Sequence, residues 1–314
     1  MLEEKNHTFS KDFILLGILD PNKYGFLFLS FLLIIFMVAI MGNSILILLI
    51  RLDIRLHTPM YFLLSHLSFM DILHISNIFP KMANNFISGR KSITFTGCGF
   101  QVFFSLIFLG AECLLLTVMS YDRYVAICHP LRYPILMSHR ISVIMAASCW
   151  LVAIINSTIH TTYVLYIPFC GTRAIDHFFC EVPAMLKLSC VDTSHYERGV
   201  YVSAVFFLLI PFSIILASYG QILRTVLHIK SMEAQKKAFS TCSSHLTVVV
   251  MYYGPFIFTY MRPKSYHTPG QDKILAVLYT ILTPMLNPMI YSLRNKDVLC
   301  AMKKVLGSVL MHRN

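Results

Sequence analysis

Seven stretches of this chain run almost free of Asp, Glu, Lys and Arg, and that spacing constrains its fold more than any other feature. They are Tyr24 to Ile50, Thr58 to Pro80, Ser92 to Tyr121, Ile141 to Thr172, Gly199 to Leu223, Ala238 to Met261 and Ile274 to Leu293. Only Asp71 and Glu112 interrupt them. Crossing about 30 Å of hydrocarbon takes roughly 20 helical residues, so each run is long enough to span a bilayer. Each must then be helical, because lipid offers no partner for an unpaired backbone amide. The expected fold class is an all-α membrane protein, a seven-transmembrane helix bundle.

With 56% hydrophobic and 13% charged residues, the 314-residue chain is too apolar to cover itself as a water-soluble globule. Its net charge of +11 would suit nucleic acid on a soluble fold, but the basic residues fall in short gaps between apolar runs. No nucleic-acid partner is expected; the bilayer is. With no linker, low-complexity tract or internal repeat, residues 1–314 read as one domain: an N-terminal segment 1–23, a bundle 24–293 and a tail 294–314.

Of the 26 Lys and Arg, 14 lie on the side of the C-terminus and 12 on the other, which favours a cytosolic C-terminus weakly. The sequon Asn6-His7-Thr8 and a cluster of Cys170, Cys180 and Cys190 point the same way, placing the N-terminus outside. A second sequon at Asn156 lies inside the fourth run, out of reach of glycosylation. No apolar signal core precedes the first run, which reads as the signal anchor. Four cysteines face the oxidising side, Cys98, Cys170, Cys180 and Cys190, and admit three pairings that these spacings do not decide.

Asp122 and Arg123 sit side by side where the third run meets the cytosolic interface, a place where a charge can pair locally or snorkel. They come with "LHTPMYFLLSHLSFMD" (56–71), "SYDRYVAICHPLRY" (120–133), "KAFSTCSSHL" (237–246) and "PMLNPMIYSLRN" (284–295). This set resembles the olfactory receptors, a branch of the rhodopsin-like G-protein-coupled receptors, from Gly42-Asn43 to Asn295.

The resemblance implies that Asp122 restrains Arg123 at rest, and that activation frees Arg123, beside Tyr124, toward the G protein with support from Tyr219 and Tyr291. It implies disulfides Cys98–Cys180 and Cys170–Cys190. The inner loop around Met137 and the Lys236-Lys237 end of the sixth run would join the G-protein surface, with Asn287 and Pro288 in the switch of the seventh. The implied partners are a small volatile odorant and the stimulatory heterotrimeric G protein of olfactory neurons, which raises cyclic AMP. The implied location is the plasma membrane of olfactory cilia. No cofactor is called for. Carried-over pocket positions are Ser105, Leu106, Leu109, Gly110, Ser203, Phe207, Tyr253, Phe256, Tyr260, Val277 and Thr280. None is charged, which suits a neutral volatile, with Arg262 and Lys264 at the rim as the one route to an acid.

An intramembrane carboxylate is costly unless it faces protein, water or an ion. With Asn43 and Asn287, Asp71 and Glu112 would form a hydrated polar core or hold Na⁺; a protonated, hydrogen-bonded carboxyl is the equal alternative. Pro211, Pro255, Pro284 and Pro288 each delete a helical hydrogen bond and mark expected kinks. After the last run, Val298, Met302, Val305, Leu306 and Val309 oppose Lys296, Lys303 and Lys304, the pattern of a short cytosolic amphipathic helix on the membrane surface. Cys300 reads as an unmodified thiol.

Rival classes lack their signatures. There are no repeated hydropathy halves of a transporter, and no His-Glu-x-x-His, Gly-x-Ser-x-Gly or zinc spacing of an enzyme. The seventh run has no lysine for a retinal Schiff base, and Ser105 offers no counter-ion to an amine. The sixth run reads "MYYGPF", so Tyr253 stands where related receptors carry a tryptophan, and the single tryptophan is Trp150.

Overall fold

The computed structural model describes residues 12–18, 22–261 and 268–311; at 234, 237, 241, 293, 294, 296 and 306–311 only the backbone is described. Its elements follow the charge-free runs. Helix α1 is Lys23–Leu52, α2 Pro59–Ser88, α3 Phe95–Cys128 and α4 His139–Tyr166. Helix α5 spans Ser194–Leu227, α6 Met232–Tyr260, and α7 joins Pro269–Val277, a π turn at Leu278–Leu282 and Thr283–Arg294. Among the described residues, six of these are long and apolar enough to cross a membrane. The more polar α6, with Ser240, Ser243, Ser244, His245 and Thr247, packs into the same bundle against α7, α3 and α5.

Local chemistry sets the helix ends. The Asn22 side chain accepts a hydrogen bond from Gly25 N at 2.9 Å to start α1, and Thr94 Oγ1 accepts from Gly97 N at 3.1 Å to start α3. Gly89 closes α2 in the left-handed region, φ 68°, where a Cβ would be strained. Past α1, Asp53 pairs with Arg55 at 2.6 Å, and that guanidinium holds the Asp53 carboxyl well below the usual carboxylate range.

Along α1 the buried residues Leu32, Ile35, Ala39, Asn43 and Leu46 recur every three or four positions, while Phe31, Leu33, Ile34, Met41 and Ile45 point outward. A helix apolar on its outer face as well needs lipid, not water, around it. Helix α3 is the hub, packing most heavily on α4 and then on α5 and α2. Gly42 permits the close approach of α1 to α7, where a Cβ would meet Pro288 Cγ at 3.1 Å.

The prolines act in two ways. Pro255 and Pro288 are accommodated inside α6 and α7. Pro211 and Pro284 instead each follow a π turn, Val205–Leu209 and Leu278–Leu282. The wider turn relieves the clash between the proline ring and the carbonyl one turn back. In α7 the Thr283 hydroxyl caps Leu278 O at 3.0 Å.

The expected helical bundle carries one small addition and two shifted helix ends. Strand β1 (Phe13–Leu15) pairs antiparallel with β2 (Ser92–Ile93) and parallel with β3 (Ala174–Ile175). Helix α4 stops at Tyr166, short of Thr172, because Pro168 pushes Ile167 into extended backbone at φ −68°, ψ 134°. Helix α5 begins at Ser194, five residues before its charge-free run, and so takes in Glu197 and Arg198.

Beyond α7, Asn295 Oδ1 accepts from Asp297 N at 2.9 Å and from Val298 N at 3.4 Å, starting α8, Lys296–Met311. Val298 and Ala301 are buried against the bundle while Lys303 and Lys304 are exposed, the two faces of an amphipathic helix. The side chains of Leu306 and Val309 fall outside the described residues.

Candidate functional site

At the N-terminal end of the bundle, the long segment between α4 and α5 is tied twice. Cys98 of α3 is bonded to Cys180, with Cα atoms 5.5 Å apart, and Cys170 to Cys190 at 5.4 Å. Gln101 Oε1 accepts from Cys180 N at 2.8 Å, so α3 holds the segment by a hydrogen bond next to the bridge. Strand β1 lies across the same segment.

Glu181, the next residue, is the group that sequence reasoning missed. Its Oε1 accepts from Tyr279 Oη at 2.8 Å and from Tyr260 Oη at 3.2 Å, tying the segment to α7 and α6. Burial raises its pKa, although both tyrosine hydrogen bonds work the other way. His177 Nε2 is 3.5 Å from Glu181 Oε2, but burial pushes the His177 pKa down to about 3, so no ion pair forms at neutral pH. The one sequence signal for Glu181 is its adjacency to the bridging Cys180.

Below this roof lies a partly open cavity between α3, α4, α5 and α6. Seven carried-over pocket residues line it: Leu106, Leu109, Gly110, Ser203, Phe207, Phe256 and Tyr260. The other four do not. Ser105 accepts from Asn77 Nδ2 at 3.0 Å, on the side of α3 that faces α2. Tyr253 turns to donate to Cys113 O at 2.8 Å, and its neighbour Tyr252 donates to Leu109 O at 2.7 Å. Thr280 is spent on Ala276 O at 2.6 Å, and Val277 packs against the core. New to the lining are Cys113, Asn156, His160 and Val182, together with Val200, Ala204 and Leu208. His160 sits between Tyr196 Oη and Ser203 Oγ, each 2.8 Å from a ring nitrogen.

One layer further in, the structure brings Asp71, Glu112 and Asn287 together. Asn287 Nδ2 donates to Asp71 Oδ2 at 3.0 Å, to Asp71 Oδ1 at 3.2 Å and to Glu112 Oε1 at 3.5 Å. All three are buried. Asn43 is close by in the fold but bonds elsewhere, from Nδ2 to Pro284 O at 2.8 Å and to Ala39 O at 3.0 Å. Two carboxyl groups facing one amide nitrogen present more acceptors than protons, and a proton, water or a cation must balance them.

At the opposite end, Asp122 and Arg123 form no close ion pair among the described residues. Successive helical residues point about 100° apart, so neighbours do not face each other. Asp122 is buried and accepts from Tyr133 Oη at 2.8 Å, with the Arg123 charge within electrostatic reach of its carboxyl. Arg123 lies within electrostatic reach of Tyr219, Tyr291 and His245. Tyr219 Oη and His245 Nδ1 are 2.8 Å apart, joining α5 to α6. Tyr124 Oη meets His129 Nε2 at 3.0 Å. Met137 is buried and Lys236 exposed, while the Lys237 side chain, Asn6, Arg262 and Lys264 lie outside the described residues.

Comparison with known proteins agrees with this architecture. The olfactory receptor family profile matches residues 32–308. The chain is 68% identical to human Olfactory receptor 2AJ1 over 98% of its own length and 94% of that relative. Identity to human Olfactory receptor 2L13 is 58%, covering 98% of each chain, and to mouse Olfactory receptor 2V1 52%, covering 96% of each. A membrane-spanning helical bundle with this match along nearly all its length is a receptor and not an enzyme, and the chain belongs to the olfactory receptor family.

Proposed function

We propose that this receptor, acting as a single unit over residues 1–314, binds small, mostly neutral volatile molecules in the cavity between α3, α4, α5 and α6. The observation that carries the reading is the lining: leucines, Phe207 and Phe256 with a few hydroxyls, and no charged side chain. Such a site holds its ligand by shape and burial, at about 25 cal/mol per Å² removed from water. A carboxylate there would lose its hydration without gaining a cation.

Occupancy would be transmitted through α3, which carries cavity residues, Glu112 and Arg123 on one helix. The polar cluster of Asp71, Glu112 and Asn287 is the candidate hinge, hydrated or holding Na⁺. Arg123, supported by Tyr219 and Tyr291, would meet a stimulatory, olfactory-type G protein beside Tyr124, Lys236, Lys237 and the Asn287-Pro288 segment, raising cyclic AMP. The N-terminus, with Asn6 glycosylated, would be extracellular and the tail cytosolic, in the plasma membrane of olfactory cilia.

The experiment is a cyclic-AMP screen of a chemically broad odorant panel on cells with the receptor at their surface. Neutral volatiles should dominate the active set. Activity confined to carboxylates and lost in Lys264→Ala would overturn the neutral pocket.

A further inference from the structure

The hydroxyls of the cavity wall have their protons already committed. His160 Nδ1 is 2.8 Å from Tyr196 Oη, and His160 Nε2 is 2.8 Å from Ser203 Oγ. Tyr196 Oη also donates to the His160 backbone carbonyl at 3.3 Å. A neutral imidazole has one N–H and one lone pair. If the phenol proton goes to the carbonyl, the phenol oxygen accepts from Nδ1–H, Nε2 is the acceptor, and Ser203 donates to it. The opposite tautomer gives the phenol proton to Nδ1, drops the carbonyl bond, and leaves the Ser203 proton unused. Among the described residues, His160 Nε2 is the one polar partner of the Ser203 hydroxyl. Three bonds against two favour the first arrangement, since buried polar groups are rarely left unpaired.

Tyr260 behaves alike, giving its proton to Glu181 Oε1 at 3.2 Å. Cys113 gives its own to Tyr252 Oη at 3.8 Å. Asn156 apart, whose amide can donate, the hydroxyls of the wall therefore turn oxygen lone pairs, not protons, toward the cavity. We propose that Ser203, oriented by His160, is an acceptor subsite that selects ligands ending in a hydroxyl over aldehydes, ketones and ethers of equal length. His160 is a positioning and specificity residue in this scheme, and Tyr196 fixes its tautomer. The proposal rests on the cavity being the odorant site.

The test uses surface-expressed full-length receptor with 1-alkanols of six to nine carbons, the matching aldehydes and methyl ethers, and phenol against anisole. Cyclic-AMP potency is read at matched surface level. Alcohols should exceed their aldehydes and ethers by roughly tenfold, the ratio that one good hydrogen bond supplies. Tyr196→Phe frees the imidazole to adopt either tautomer and should narrow that ratio, as should His160→Phe if it reaches the surface. Ser203→Ala should lower alcohol potency more than ether potency. Equal potency of alcohols and ethers in the unmodified receptor would overturn the selection and leave the cavity reading standing. A ratio unchanged in both Tyr196→Phe and Ser203→Ala would also overturn it. Silence toward both series, with the direct cyclase response intact and receptor at the surface, would overturn the proposal and this choice of cavity together.

Discussion

Breaking the Cys98–Cys180 bridge should cost more than breaking Cys170–Cys190, and the sequence separations set the difference. The first pair closes 82 residues and the second 20. In the chain-entropy model these loops correspond to about 4.5 and about 3.3 kcal/mol of lost constraint on the unfolded chain. The first loss also has a local cost. Cys180 sits between the Gln101 hydrogen bond and Glu181, so releasing it loosens the links to α3, α6 and α7 at once. Cys98→Ser and Cys180→Ser should therefore reduce surface delivery and heat resistance further than Cys170→Ser or Cys190→Ser. The double variant Cys98→Ser/Cys180→Ser should be no worse than the more severe single one, because one bond is lost either way. Flow-cytometric surface labelling and thermal inactivation of detergent-solubilised receptor measure both effects. Normal delivery of either single variant, or a double variant far worse than both singles, would refute the reasoning.

Three further outcomes follow from the geometry. A Cβ at Gly110 would meet Phe207 Cε1 at 3.2 Å and Ala153 Cβ at 3.4 Å, so Gly110→Val should cut the potency of the bulkiest agonists about tenfold or more and spare the smallest; concentration–response curves over a size series check it. His177 is held neutral down to about 3 from an ordinary 6.5, so its contribution is complete above pH 6.5 and is lost as pH falls toward 3. His177→Phe should flatten the loss of heat resistance on that acid limb, whereas an identical limb in the variant would assign it to another group. Arg123→Ala should abolish agonist-driven cyclic AMP at measurable surface level, and full signalling would reduce Arg123 to an interfacial anchor.

The spans were legible because a bilayer tolerates so little charge that its helices announce themselves by composition. Their ends were less so. Helix α3 runs on to Cys128 through Asp122 and Arg123, since a helix leaving the hydrocarbon has no reason to stop at its first charge. The π turns before Pro211 and Pro284 were invisible because proline marks a broken hydrogen bond but not how the backbone repairs it. The small sheet was missed because its strands have three, two and two residues, too few for any alternation to register.

Site residues divide along the same line. Asp71, Glu112 and Asn287 stood out as polar groups in apolar runs, and they do meet. Ser105 and Thr280 looked equally suited to a ligand, but hydroxyls also satisfy themselves on neighbouring helices, and only the packing decides. Glu181, flagged only by the neighbouring Cys180, and His160 engage the Tyr260 and Ser203 hydroxyls of the wall from a loop and from α4, positions that a helical apolar pattern does not reveal.

The wall of the cavity is where the functional reading is most exposed. Phe207→Ala and Phe256→Ala each remove an apolar ring from it, and losing the burial of one ring should weaken binding by about 1.5–3 kcal/mol, roughly ten- to a hundredfold in potency. Cyclic-AMP concentration–response curves for a neutral volatile agonist, at matched surface level, measure this directly. Both curves should move to higher concentration by that factor with the maximal response retained. Unchanged potency in both variants would place the odorant elsewhere and contradict the cavity as its site.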